Sequence, residues 1–171
     1  MKKVLSIILA VTLILSCFVM PAHAYSFADD NGIVVTGETT ADGFIYSIID
    51  NGITTIDITG YTGTDTDIII PTTIDGYTVN SIEDSAFHNC TALTSVIIPE
   101  GVQTIKSGAF SGCSSLKSIV IPDRVSSIGQ GAFYGCSSLE SVVISDKVTI
   151  IDKYTFYGCS SLKSVTIPNS V

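Results

Sequence analysis

The chain has 171 residues, 16 Asp and Glu against 8 Lys and Arg, no Trp and two His. Its formal charge of −8 has the wrong sign for a nucleic-acid partner, whose phosphates call for Lys and Arg. Once residues 1–24 are set aside, His88 is the only histidine, so general acid–base chemistry has little to draw on.

Lys2 and Lys3 precede an apolar run from Val4 to Val19, closing on Pro21–Ala22–His23–Ala24. Small residues at the two positions a signal peptidase reads make 1–24 a secretory signal peptide, cut after Ala24. A run of sixteen residues is too short for a comfortable membrane span, and none is expected in the mature chain. Ile14–Leu15–Ser16–Cys17 offers a rival lipoprotein reading with Cys17 acylated. By either route the mature protein works outside the cytoplasm, secreted or at the cell surface, and carries four cysteines.

Residues 25–64 read as a polar lead-in and a cap. Tyr25–Asp42 is expected to hold at most the short strand Ile33–Val35, with structure beginning near Phe44. Phe44–Ile49 and Ile53–Thr59 are β-rich runs around Asp50–Asn51–Gly52, whose Asn–Gly pair suits a tight hairpin. Such a hairpin would cover the first coil of a downstream array. Asp65 and Asp67 form an acidic turn ahead of a strand; the Gly and Glu that a calcium-binding helix–loop–helix requires are missing.

From residue 65 to the end the chain repeats. Cys90, Cys113, Cys136 and Cys159 are 23 apart, and the same step links Leu93 to Leu162, Ile82 to Ile151, Val102 to Val171 and Phe87 to Phe156 through each intervening copy. Pro99, Pro122 and Pro168 mark one turn, with Ser145 the exception; Thr155 likewise replaces a repeat alanine. Pro71 precedes a unit carrying five extra residues around Asp75–Gly76, a small surface turn before Val79. In the unit Ser111–Phe133, Leu116, Ile119 and Ile121 alternate inward as a strand requires, and Pro122 ends it. Ile128 and Ala132–Phe133 bring the chain back in a turn or short helix broken by Gly129, Gly131 and Gly135. One coil buries about eight apolar side chains, on the order of 12–24 kcal/mol, against roughly 1–2 kcal/mol of backbone entropy for every residue ordered. A coil is therefore stable only when stacked on neighbours.

The pattern Leu116–x–x–Ile119–x–Ile121–Pro122–x–x–Val125–x–x–Ile128–Gly129–x–x–Ala132–Phe133–x–x–Cys136 resembles the 23-residue leucine-rich repeat of bacterial BspA-like surface proteins. Ile58–Gly63 also resembles the segment that often precedes these repeats. The resemblance implies an α/β or mainly β right-handed solenoid with a parallel sheet, on a secreted or cell-surface protein used for adhesion and for binding proteins or host surfaces. The chain stops at Pro168–Val171, in the middle of a unit, so a truncated array is expected.

Stacking turns each repeat position into a column of side chains about 4.8 Å apart. The cysteine column reads as free thiols packed as small apolar groups, with paired disulfides or a metal as alternatives that a straight ladder of parallel side chains disfavours. Ser95, Ser118, Ser141 and Ser164, beside Ile97, Val120, Val143 and Thr166, form the outward face of the strands: a flat, mildly apolar strip suited to a protein partner, or β-branched residues chosen for sheet propensity alone. Thr94, Lys117, Glu140 and Lys163 flank it as cross-strand pairs, and Glu100, Asp123 and Asp146 stack as a solvated edge. Tyr134 and Tyr157 stack on the return side, in the column that also holds His88 and Ser111; stacked tyrosines can contact a glycan or a protein, and packing of the outer turn is the preferred account. Asn89–Cys90–Thr91 matches a glycosylation sequon whose repeat cysteine argues for burial. The function expected is a monomeric, non-enzymatic binding module without cofactor or metal; a structural spacer for a module absent from this chain is the first alternative and an enzyme the last.

Overall fold

The computed structural model describes residues 33–50 and 52–171, with side chains from Glu38 onward; the expected signal peptide and the start of the lead-in lie outside the described residues. Three antiparallel strands open the fold: β1 (Ile33–Thr39), β2 (Phe44–Asp50) and β3 (Thr54–Tyr61). The expected hairpin is the β2–β3 pair, and β1 extends it into a three-stranded meander. Residues beyond Val35 were expected to be unstructured, yet β1 continues to Thr39, taking up Gly37 where its register against β2 shifts between Val35 and Glu38. Gly43, at φ 87°, closes the turn into β2, its N–H donating to the Thr40 carbonyl at 3.0 Å.

Beyond the cap the chain winds into coils. β4 (Asp67–Ile69), β7 (Ser95–Ile97), β9 (Ser118–Val120), β11 (Ser141–Val143) and β13 (Ser164–Val165) form one parallel sheet. The return side holds a second sheet and no helix among the described residues: β6 (Tyr77–Ile82), β8 (Thr104–Ile105), β10 (Ser127–Ile128) and β12 (Ile150–Ile151) pair in parallel. The expected return turn is present at residues 130–135 and contains Ala132 and Phe133, but Ile128 lies in a strand: the pairs in β8, β10 and β12 are two-residue strands whose backbone groups bond to the neighbouring coils. β3 joins this sheet beside β6, which continues the cap into the array. The extra residues near Asp75 make a hairpin between β5 (Thr73–Ile74) and β6, turned by Asp75 and Gly76 at φ 52° and 85°.

The third side of each coil is also laddered. Phe87, Phe110 and Phe133 donate backbone N–H bonds of 2.7–3.0 Å to the carbonyls of Ala109, Ala132 and Thr155 one coil onward. Their rings stack at 4.9 and 5.5 Å with planes within 8°, Phe156 adds a fourth at 5.7 Å, and Phe44 and Tyr61 of the cap seat on Phe87. Leu116, Ile119, Ile121, Val125, Ile128 and Phe133 are buried as their spacing requires. Ser145 keeps the turn that proline makes elsewhere, its carbonyl accepting from Val148 N–H at 3.1 Å as Pro122 accepts from Val125. Thr155, buried in an alanine column, turns its hydroxyl to the Asp152 and Gly129 carbonyls at 2.6 and 3.3 Å.

One polar cluster bridges cap and coils. Asp57 lies on β3 at a register shift, opposite Ser47 of β2 and Ser81 of β6. Its Oδ1 is buried without a hydrogen-bond partner. Glu83, just past β6, accepts from Ser81 Oγ at 2.7 Å and pairs with Lys106 at 2.7 Å, and Thr104 donates to Ser81 Oγ at 3.0 Å. Burial, then the charge of Glu83, pushes the Asp57 carboxyl up to about 6, while Lys106 and the Asn80 amide pull it the other way.

Candidate functional site

The strip predicted on the first sheet exists and is longer than expected. Strand alternation sends Val96, Ile119 and Val142 into the core and leaves Ile97, Val120 and Val143 exposed at 56, 61 and 58 %. β4 pairs in register with β7, Ile69 against Ile97, so Ile69, exposed at 68 %, heads the ladder. Ser118 and Ser141 are exposed in register beside it, Ser95 is half-buried, and Ser164 is exposed on β13. Thr166 is exposed but lies past the end of β13. Four β-branched side chains thus stand in a row with a hydroxyl ladder alongside, and only Lys163–Glu140, at 3.2 Å, forms an ion pair beside them among the described residues. At the head of the serine column Asp67 accepts from Thr66 and Thr94 at 2.9 Å each, which holds its carboxyl below the usual range.

The cysteine column is free thiols. Cys113, Cys136 and Cys159 are buried and Cys90 half-buried. Each buried thiol donates to the phenylalanine carbonyl of the preceding coil: Cys113 to Phe87, Cys136 to Phe110 and Cys159 to Phe133, at 3.1–3.2 Å. They pack as small apolar groups and also satisfy a carbonyl. Burial first, and the neighbouring thiol second, pushes Cys136 up to about 12 and Cys113 higher still. Among the described residues no group of three His, Cys, Asp or Glu is placed to hold a metal ion. Glu100, Asp123 and Asp146 are exposed.

Two readings of the return side change. Tyr134 and Tyr157, expected to pack the outer turn, are exposed at 46 and 61 % and stack on one another at 5.2 Å, because the column points away from the coil interior. Asn89 was expected to be buried with Cys90; it is exposed at φ 58°, since the left-handed turn swings its side chain outward, where its amide meets His88 Nε2 at 2.9 Å.

A stack of short parallel strands with inward Leu, Ile and Phe columns and one outward β-branched ladder defines a leucine-rich-repeat solenoid. The chain belongs to the BspA type leucine-rich-repeat region family, whose model matches residues 80–171. Among solved structures it is similar to the leucine-rich-repeat protein of T. pallidum, at 31 % identity over 77 % of this chain and 72 % of that one, TM-score 0.63. It is also similar to a leucine-rich cell surface protein from Faecalibacterium prausnitzii, at 25 % identity over 71 % of this chain and 37 % of that one, TM-score 0.54. A leucine-rich-repeat protein from Bacteroides capillosus shares the fold, at 24 % identity over 75 % of this chain and 96 % of that one, TM-score 0.66. No curated protein matches the chain. No helix among the described residues is long and apolar enough to cross a membrane.

Proposed function

We propose that this protein is an exported, surface-displayed, non-enzymatic adhesion module whose first sheet meets a protein partner. The observation that carries the reading is the in-register ladder Ile69, Ile97, Val120 and Val143, exposed apolar groups on a rigid sheet whose other face is core. Ser95, Ser118, Ser141, Ser164 and Thr166 supply hydroxyls beside it. Membership of the repeat family and likeness to a cell surface protein support a protein-binding repeat module at the surface. Hydroxyl donors around a rigid apolar row give orientation and contact, and neither nucleophile nor base is needed for that work.

The test replaces Ser118 and Val120 by Glu and Ser141 and Val143 by Lys in one chain. Binding of both proteins to immobilised extracellular matrix and to cell layers is then compared, with circular dichroism confirming the fold. Loss of binding in the variant is the expected result. Equal binding by a folded variant would assign adhesion to another face, and no binding by the parent protein would favour a spacer.

A further inference from the structure

All exposed large aromatic side chains among the described residues gather at one place. Tyr134, Tyr154 and Tyr157 are exposed at 46, 57 and 61 %, whereas the other exposed large apolar residues, on the strip and elsewhere, are all aliphatic. Tyr134 and Tyr157 stack with planes 14° apart, and Tyr154 stands at 90° to Tyr157 with centroids 6.2 Å apart. Two rings present a row of edges and hydroxyls, and the third makes a wall across it.

Tyr154 is also where a bulky residue takes a backbone conformation that the repeat otherwise gives to glycine or serine. The same left-handed position recurs every 23 residues, at Ser85, Gly108, Gly131 and Tyr154, with φ of 59°, 62°, 60° and 62°. Glycine holds that conformation freely, whereas a bulky side chain is strained by it. The strain brings the fold little, since the ring ends more than half exposed and perpendicular to another exposed ring. Strain kept at a solvent-facing residue points to use by a ligand.

We propose that Tyr134, Tyr154 and Tyr157 form a carbohydrate-binding site, separate from the protein-binding strip. A pyranose offers hydroxyls that exchange hydrogen bonds with the row of phenols, which both donate and accept, and an apolar C–H face to pack against the wall that Tyr154 makes. The exposed aliphatic ladder Ile69, Ile97, Val120 and Val143, which suits a protein partner, stands on the first sheet and not beside these rings. The spacing of stacked tyrosines, 5.2 Å per coil, lets an extended oligosaccharide run along the solenoid axis with successive sugars on successive coils.

The site is tested by titrating the whole chain with tetra-N-acetylchitotetraose, maltotetraose and a β-galacto-oligosaccharide, read by calorimetry and by tyrosine emission, which no tryptophan masks. A saturable response to at least one sugar is expected. Tyr154→Gly, which restores the residue that column prefers, and Tyr157→Ser, which copies Ser111, should each weaken it roughly three- to tenfold, the worth of one aromatic contact. The strip variant should keep it. Absence of response to all three at about 10 mM, where even very weak sites fill, or undiminished affinity in a folded Tyr154→Gly protein, would overturn the proposal. Loss of matrix-protein binding in the tyrosine variants without any sugar response would likewise overturn it, and would give the cluster to a protein partner.

Discussion

Replacing Asp57 by Asn should stabilise the protein at pH 7 and do nothing at pH 4. The carboxyl sits where cap meets coils, one oxygen buried without a partner and Glu83 adding repulsion, which moves it from the ordinary 3.8 to about 6. Holding it ionised at pH 7 costs roughly 3 kcal/mol on that displacement. Because the group is only partly buried, solvent screening reduces this to about 1–2 kcal/mol. Between pH 4 and 6 the folded chain keeps a proton that the unfolded chain releases. The contribution of Asp57 is therefore fully favourable below about pH 4 and is lost as pH rises through about 6. Urea unfolding of both proteins at pH 4, 5, 6 and 7 measures the difference directly. The expected gap opens from near zero to about 1–2 kcal/mol in favour of Asn as pH rises. A gap equal at pH 4 and pH 7, or one favouring Asp at pH 7, would refute the placement of this carboxyl against Glu83.

Gly129→Ala would set a Cβ 2.7 Å from the backbone of Lys106 and Ser107 in the preceding coil, which cannot give way without parting the two sheets' rungs; a loss of about 2–4 kcal/mol is expected in denaturant melts. Phe133→Ala empties the middle of the ring stack and should cost about 3–5 kcal/mol, and Phe156→Ala, on a half-buried ring, visibly less in the same assay. With Ellman's reagent at pH 8, Cys90 should react first and Cys113 and Cys136 only on unfolding, because burial keeps the latter two protonated. Tyr154→Gly should raise the unfolding free energy by about 1 kcal/mol by relieving the left-handed backbone, an increase readable as a higher melting temperature.

The solenoid was legible because Cys, Leu, Ile, Val and Phe each return at the same step, and that identity across four copies outweighs the weakness of any single short strand. The strip followed from alternation about Ile119. Ile69 escaped because the hairpin at Asp75 and Gly76 puts 28 residues, and not 23, between it and Ile97, and only strand pairing restores the register. The second sheet escaped for another reason: a pair such as Ser127–Ile128 is too short to carry a period, and its strand character comes wholly from the coils above and below. The tyrosine cluster was half visible, since Tyr134 and Tyr157 share a column. Tyr154 aligns with Gly108 and Gly131, which was the available signal, but its meaning needed the positive φ that those glycines hide.

The phenylalanine stack ties the coils together on the side away from both sheets. Its rings follow one another at 4.9, 5.5 and 5.7 Å, and the N–H groups of Phe87, Phe110 and Phe133 donate to carbonyls one coil onward. Each coil is thus bonded to its neighbour on three sides, so a partner that displaced one coil on the first sheet would have to move the coils beside it as well.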